Sequence, residues 1–315
     1  MSKERLNPNA QPELDVELEH ADESQEKVLS PGRLAWNNFR KNKLAMIGLI
    51  IFGILVLLVV FAPLITPADG DRTSLTSRVT APGDGHFLGT DDVGRDMWTR
   101  LLFGGRNTLI VAIMASGIAT IIGSVIGGIS GYYGGKVDNL LMRFTEIIMT
   151  FPYLPTLLVL SFALQDIVPK DKKVFLIGFI IGILGWGSLA RMVRGQILSL
   201  REQEFMEATT ALGLRDRSKV FKHLLPNTFG VIIVSLTISF ASAILSEVSL
   251  SFLGLGIAPP QPSWGNILQY AKQANYLRDA WWMWIPCAIL IILSVVGVNL
   301  MGEGLRDAFD PKSNR

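Results

Sequence analysis

Six stretches of this chain hold no Asp, Glu, Lys or Arg: 44–65, 108–130, 147–164, 174–190, 228–246 and 281–302. An apolar helix of about 20 residues crosses the roughly 30 Å hydrocarbon core of a bilayer, and each charge buried there is costly. The pattern therefore predicts an all-α, polytopic membrane protein with six transmembrane helices. The third stretch extends back toward Leu140 and the fifth toward Leu255. The fourth has only 17 uncharged residues, but Arg191 and Arg194 can snorkel from its end. Core helices of a globular protein carry a polar face, which these stretches lack.

Composition narrows the classes further. Only 18% of residues are charged, against roughly 25% in soluble domains. A net charge of +2 gives no basic field to attract phosphates, so a nucleic-acid partner is excluded. Cys287 is the only cysteine, which removes disulfide frameworks and thiolate clusters within one chain.

Basic residues set the expected orientation. With the N-terminus inside, the inner segments hold sixteen Lys and Arg and the outer segments ten. Arg40, Lys41 and Lys43 abut the first span, whose flank usually dominates orientation. Both termini are expected in the cytoplasm. Residues 1–30 carry eight carboxylates and little apolar periodicity, as a mobile tail would. The apolar run begins only at Leu44 and no small-residue cleavage pattern follows it, so the first span reads as retained rather than as a signal peptide. The expected organisation is a cytoplasmic tail (1–35), a first helix with its inner flank (36–65), an outer loop (66–106), a core (107–305) containing an inner loop at 191–226, and a cytoplasmic tail (306–315). Tryptophans favour the membrane–water boundary: Trp98, Trp264 and Trp281, Trp282 and Trp284 fall at the outer side, Trp36 at the inner, and only Trp186 mid-span.

Gly123, Gly127 and Gly131 recur every fourth residue, and Gly178 and Gly182 repeat the spacing, so another backbone can approach these helix faces closely. Such stripes serve either as moving seams or as ordinary helix contacts. Pro152 and Pro155 should kink the third span, as a gate element or as a tolerated break. Within the spans, Arg143 and Glu146 are spaced to pair, and Glu247, near the outer end of the fifth, is a candidate pathway group. No chain of ionisable residues crosses the spans as a proton relay requires.

Reactive constellations are missing. Residues 130–137 imitate a phosphate loop, but Ser130 replaces the first glycine and Val137 the final hydroxyl residue, and no strand precedes them. His20, His86 and His223 lie in three separate segments, which gives no metal set. The chain reads as a non-catalytic membrane subunit that binds no cofactor.

The inner loop is patterned. A helix over 205–212 is expected to stop at Gly213 in the left-handed conformation, and Asp216 to cap a second helix ending at Leu225 and Pro226. Val220, Phe221, Leu224 and Leu225 share one face of it, opposite Arg217, Lys219 and Lys222. That face suits a partner groove or the headgroup layer.

Here a family resemblance enters. Glu207, Ala208 and Thr209, then Gly213, then Leu225 and Pro226 resemble the EAA loop of permease subunits of bacterial ATP-binding-cassette importers. Thr209 stands in place of an alanine, and His223 in place of isoleucine, the latter as in the dipeptide and oligopeptide branch. Residues 86–96, which include Gly89, Thr90, Asp91, Gly94, Arg95 and Asp96, resemble that branch's H-x-L-G-T-D-x-x-G-R-D signature. Leu250 to Gly256, with Pro259, Pro260, Pro262 and Ser263 to Gly265, resembles its second outer signature.

The resemblance covers about residues 30–310 and implies a type I importer permease fold of the "C" type in the bacterial cytoplasmic membrane. It implies as partners a homologous second permease, two cytoplasmic ATPase subunits that hold ATP and Mg, an extracytoplasmic substrate-binding protein and membrane lipid. The cargo it implies is dipeptides or oligopeptides, or occasionally nickel complexes. It casts Glu207 to Gly213 as a coupling helix seated on an ATPase. It casts the outer loop, through Asp91, Asp92, Arg95 and Asp96, as a docking site for the binding protein; the local alternative is a capped helix with Asp91 or Asp92 near its start. The competing function is a self-sufficient ion-coupled transporter, which would need its own ion site.

Overall fold

The computed structural model describes residues 31–66, 72–83 and 85–309. The acidic tail expected at 1–30 and residues 310–315 lie outside the described residues. Among the described residues there is no β-strand, only isolated bridges between Gly83 and His86 and between Thr90 and Asp96. The principal helices are α1 (Pro31–Lys41), α2 (Lys43–Val60), α3 (Met97–Tyr133), α4 (Gly135–Thr150), α5 (Tyr153–Leu164) and α6 (Lys173–Gly185). They continue as α7 (Gly187–Leu200), α8 (Glu204–Ala211), α9 (Phe229–Phe252), α10 (Trp264–Leu268) and α11 (Ile285–Phe309).

Helices α2, α3, α9 and α11 are each long and apolar enough to cross a bilayer. The other two spans are broken: α4 and α5 meet at 83°, and the segment 170–185 meets α7 at 43°. Counting each bent pair once gives the six expected spans.

Two boundaries differ from expectation. Helix α3 has 37 residues, roughly 55 Å at 1.5 Å per residue, and starts inside the segment expected to be outer loop. Within that added stretch the Arg100 side chain is buried and faces Asp91 at 3.5 Å. Helix α11 continues through Phe309 rather than stopping at 305, with Glu303, Arg306 and Asp307 exposed while Gly302, Gly304 and Ala308 are buried. The proline pair sits at the bend between α4 and α5: Pro152 is the N-cap of α5, and Pro155 lies in the first turn, where its missing N–H costs no helical hydrogen bond.

The second break, at Trp186, had no proline to announce it. The indole there is buried and stacks on Phe144 with centroids 6.2 Å apart.

The glycine stripes mark the closest crossings. Each added Cβ at Gly123 and Gly131 would lie 2.9 Å from the carbonyl oxygens of Trp186 and Arg194, and one at Gly127 would strike that of Ala190. Helix α3 therefore lies backbone to backbone on α7. Gly182 repeats this on the other side, 2.9 Å from the Ala115 carbonyl. Arg143 and Glu146 pair at 3.4 Å on an exposed face, a contact of little energetic weight.

Candidate functional site

The ends of α3 define two polar regions, and a cavity lies between them. At its N-terminal end residues 72–83 and 85–96 fold tightly onto the bundle. Gly89 and Gly94 hold φ of +66° and +80°, and a Cβ on either would collide with the carbonyls of Thr80 and Ser74. Thr90 is buried; its hydroxyl accepts from the Thr80 N–H at 2.9 Å and donates to Ser77. The Asp91 carboxylate is wholly enclosed. It accepts from the N–H groups of Val93 and Arg95 at 3.0 and 2.9 Å, from Arg95 Nε at 2.7 Å and from the Tyr270 hydroxyl at 3.2 Å. Tyr270 also donates to Asp92 at 2.9 Å. Burial, then the negative charge of Asp91, pushes the Tyr270 phenol well above its ordinary range, so it remains a donor.

The cap of α3 is Asp96, not Asp91 or Asp92. Its carboxylate accepts from the Thr99 N–H and hydroxyl, both at 2.8 Å, and pairs with His86 Nδ1 at 2.9 Å. Two residues nearby differ from expectation. Trp264 is not interfacial: it is fully buried against Gly105 of α3, where a Cβ would lie 2.8 Å from its ring, donating Nε1–H to the Leu101 carbonyl at 3.0 Å. Glu247 is likewise enclosed, accepting from Thr108 at 2.8 Å and Ser251 at 2.7 Å. It ties α9 to α3 and does not line the cavity described next, so its expected pathway role has no support from its placement.

Between the two breaks lies a cavity of about 390 Å³. Phe151, Tyr153 and Thr156 from the first break line it, as do Gly185, Gly187 and Ser188 from the second, with Ser116 from α3 and Ser239 and Ser242 from α9. Pro152 and Pro155 do not line it themselves but direct their neighbours into it.

At the C-terminal end of α3 the loop 191–226 forms a projecting knob. Helix α8 is anchored from inside: Met206 and Leu224 are buried with Val193 and Ile197, and Thr209 is buried with its hydroxyl donating to the Met206 carbonyl at 2.7 Å. Gly213 stops the helix at φ +67° as expected. Glu207, Ala208 and Gly213 face outward and Leu225 is half-buried.

The second helix departs from its predicted form. Asp216 is its first residue rather than its cap, and its carboxylate instead accepts from the Tyr132 hydroxyl at 2.6 Å. Residues Lys219–Leu224 take the wide π register, and the helical path continues through Pro226 to Asn227. Val220 and Leu224 of its apolar face are buried against this chain's own helices, Leu225 is half-buried, and Phe221 stays 42% exposed, so one residue of the expected face remains on the surface. Lys219 turns inward to donate to Thr210 at 3.1 Å.

One anchor escaped the sequence reading. Arg194 clamps Asp138 with two bonds of 2.5 Å, and Ser130 donates to the same carboxylate. Asp138 stands out as a carboxylate flanking an apolar span, but its partner is 56 residues away, beyond any local spacing rule.

Six spans, two of them broken, with a knob anchored at one end of the bundle, define a multi-pass membrane protein. Comparison with known proteins agrees. Residues 123–315 match the family described as binding-protein-dependent transport system inner membrane component, and residues 30–82 match the N-terminal TM domain of oligopeptide transport permease C. The dipeptide transport system permease protein DppC of Alkalihalophilus pseudofirmus is 39% identical over 92% of this chain and 93% of its own length. The oligopeptide transport system permease proteins OppC of Bacillus subtilis and Haemophilus influenzae are 37% and 38% identical, over 93% and 99% of this chain and the same shares of their own. The chain belongs to the binding-protein-dependent transport system inner membrane component family, and it is a permease subunit of an ABC importer.

Proposed function

We propose that this permease passes dipeptides or oligopeptides across the bacterial cytoplasmic membrane beside a homologous second permease, and receives its driving force from two ATPase subunits through the knob at 204–213. A separate extracytoplasmic protein delivers the peptide to the end that carries the 86–96 signature. ATP and Mg belong to the ATPases, and both termini of this chain lie in the cytoplasm with the knob. The cargo reading is supported by the relatives named for dipeptide and oligopeptide transport.

The observation that carries the coupling reading is the division of α8 into two faces. Met206 and Thr209 hold it to the bundle, while Glu207, Ala208 and Gly213 are left exposed together at its far side. An exposed carboxylate can make a charge-assisted bond to a partner, and a small neighbour lets that partner approach. A rigid knob fixed to α3 and α7 then converts partner closure into rocking of the spans. An ion-coupled carrier is the weaker reading, because the relatives are named as permease proteins of transport systems.

The test is uptake by the reconstituted complex. Glu207→Ala with Ala208→Asp, or Gly213→Asp, should abolish ATP-dependent peptide uptake and release the ATPase subunits, while the permease keeps its melting temperature. Asp is among the few side chains that tolerate φ near +67°, and nothing crowds Gly213. Normal uptake by both variants refutes the coupling assignment, and uptake by the lone permease refutes the dependence on partners.

A further inference from the structure

The cavity between the broken spans is chemically uniform in one respect. Tyr153, Thr156, Ser116, Ser188, Ser239 and Ser242 bring hydroxyls to it from α3, α5, α7 and α9, and the remaining lining is apolar or glycine, with no carboxylate, ammonium, guanidinium or side-chain amide. Three of these hydroxyls are already engaged: Ser116 donates to the Ala112 carbonyl at 2.7 Å, Thr156 to that of Pro152 at 2.9 Å, and Tyr153 meets Ser246 at 3.3 Å. Those of Ser188, Ser239 and Ser242 have no hydrogen-bond partner among the described residues, and Ser188 and Ser242 are exposed to the cavity. A hydroxyl both donates and accepts, so this ring complements the N–H and C=O groups that every peptide repeats. It offers nothing to match or repel a charged side chain. The volume of about 390 Å³ falls within the range of small-ligand sites. Discontinuous spans also frame the substrate sites of many secondary transporters, where interrupted helices free backbone groups for a ligand.

We infer that this cavity is a main-chain-binding station on the transport path, holding the peptide backbone through Ser188, Ser239 and Ser242 and indifferent to the charge of the peptide's side chains. The inference rests on the peptide-permease reading above and extends it to the site. Charge selection then lies outside this cavity, and one charge placed in it creates a preference that the native chain lacks. An added carboxylate within about 6 Å of a passing acidic side chain, in a medium of intermediate dielectric, opposes it strongly enough to slow transit at least about tenfold.

The experiment uses the full complex in proteoliposomes and three tripeptides, Ala-Glu-Ala, Ala-Ala-Ala and Ala-Lys-Ala, each at saturating binding protein. Wild type should move the three at rates within about threefold of one another. Ser242→Asp should lower Ala-Glu-Ala uptake at least about tenfold relative to Ala-Ala-Ala and leave Ala-Lys-Ala undiminished, while Ser242→Asn shows no charge preference. If Ser242→Asp does not assemble, Ser242→Cys is labelled after assembly with positively or negatively charged thiol reagents, since native Cys287 is buried; the two adducts should shift the acidic-to-basic uptake ratio in opposite directions. Peptide uptake by wild type together with charge-blind variants overturns this inference alone. Absence of uptake of all three peptides by wild type refutes the peptide reading itself, and the inference with it.

Discussion

Asp91→Ala tests whether the 86–96 signature is a fastening. The wild-type carboxylate has no solvent exposure and lies 2.7 Å from Arg95 Nε and 3.5 Å from Arg100 Nε, with Arg100 itself only 3% exposed. Removing one partner of a buried pair costs about 3–5 kcal/mol, because the remaining charge loses its compensation inside the protein. The variant also strips an acceptor from two backbone N–H groups and from Tyr270. At roughly 2–4 °C per kcal/mol for a large domain, the melting temperature should fall by about 6–20 °C. Asp91→Asn keeps an acceptor oxygen but not the charge and should fall less. Combining Asp91→Leu with Arg100→Met removes the carboxylate and the more buried of its two guanidinium partners, leaving Arg95, and should recover part of the Asp91→Ala loss. The assay is thermal unfolding of the purified permease in detergent, followed by labelling of Cys287, which is buried in the folded protein. A shift below about 2 °C for Asp91→Ala would refute the view that this carboxylate holds the segment in place.

Three further outcomes are expected. Gly127→Val should lower yield and melting temperature by prising α3 from α7, whereas Gly117→Ala, which meets open space, should be neutral or raise stability by about 0.5–1 kcal/mol; equal effects would contradict the seam. Trp264→Ala should cost about 3–5 kcal/mol, read by the same unfolding assay, and an interfacial indole would show far less. Because the folded Tyr270 phenol is raised above its unfolded value of about 10, its contribution is complete below that pH and is lost as pH rises beyond it. The alkaline fall in melting temperature should therefore be shallower in Tyr270→Phe than in wild type.

What could be read from the sequence was what depends on local spacing. Charge gaps located six spans, four-residue glycine repeats located the α3–α7 and α3–α6 crossings, and Gly213 announced its own φ. What escaped depends on partners distant along the chain. Hydropathy records that Trp264 and Glu247 lie near a boundary, but not that α3 supplies the slot and the hydroxyl that enclose them. Asp216 has a capping residue's chemistry, yet Tyr132 takes its carboxylate. The expected outer loop ran to residue 106 because charges are costly in lipid, yet α3 begins at Met97 and buries Arg100 against Asp91 within the protein. At the knob, local spacing singled out Glu207, Ala208, Thr209 and Gly213 together, but only the fold separates the other three from inward-facing Thr209. Val220 and Leu224 looked free because the helices that bury them are distant in the sequence, whereas Phe221 does stay exposed.

Helix α3 has one further mechanical meaning. Its first turn is secured by Asp96 and its last by Tyr132 and by Arg201, which donates to the Gly131 carbonyl at 3.2 Å, so a single unbroken rod joins the two faces of the membrane. With a length of roughly 55 Å, a tilt of about 10° about one end sweeps the other through roughly 10 Å. A nudge at the knob thus reaches the opposite leaflet as leverage, without a relay of side-chain rearrangements, on the microsecond-to-millisecond scale of collective helix motion.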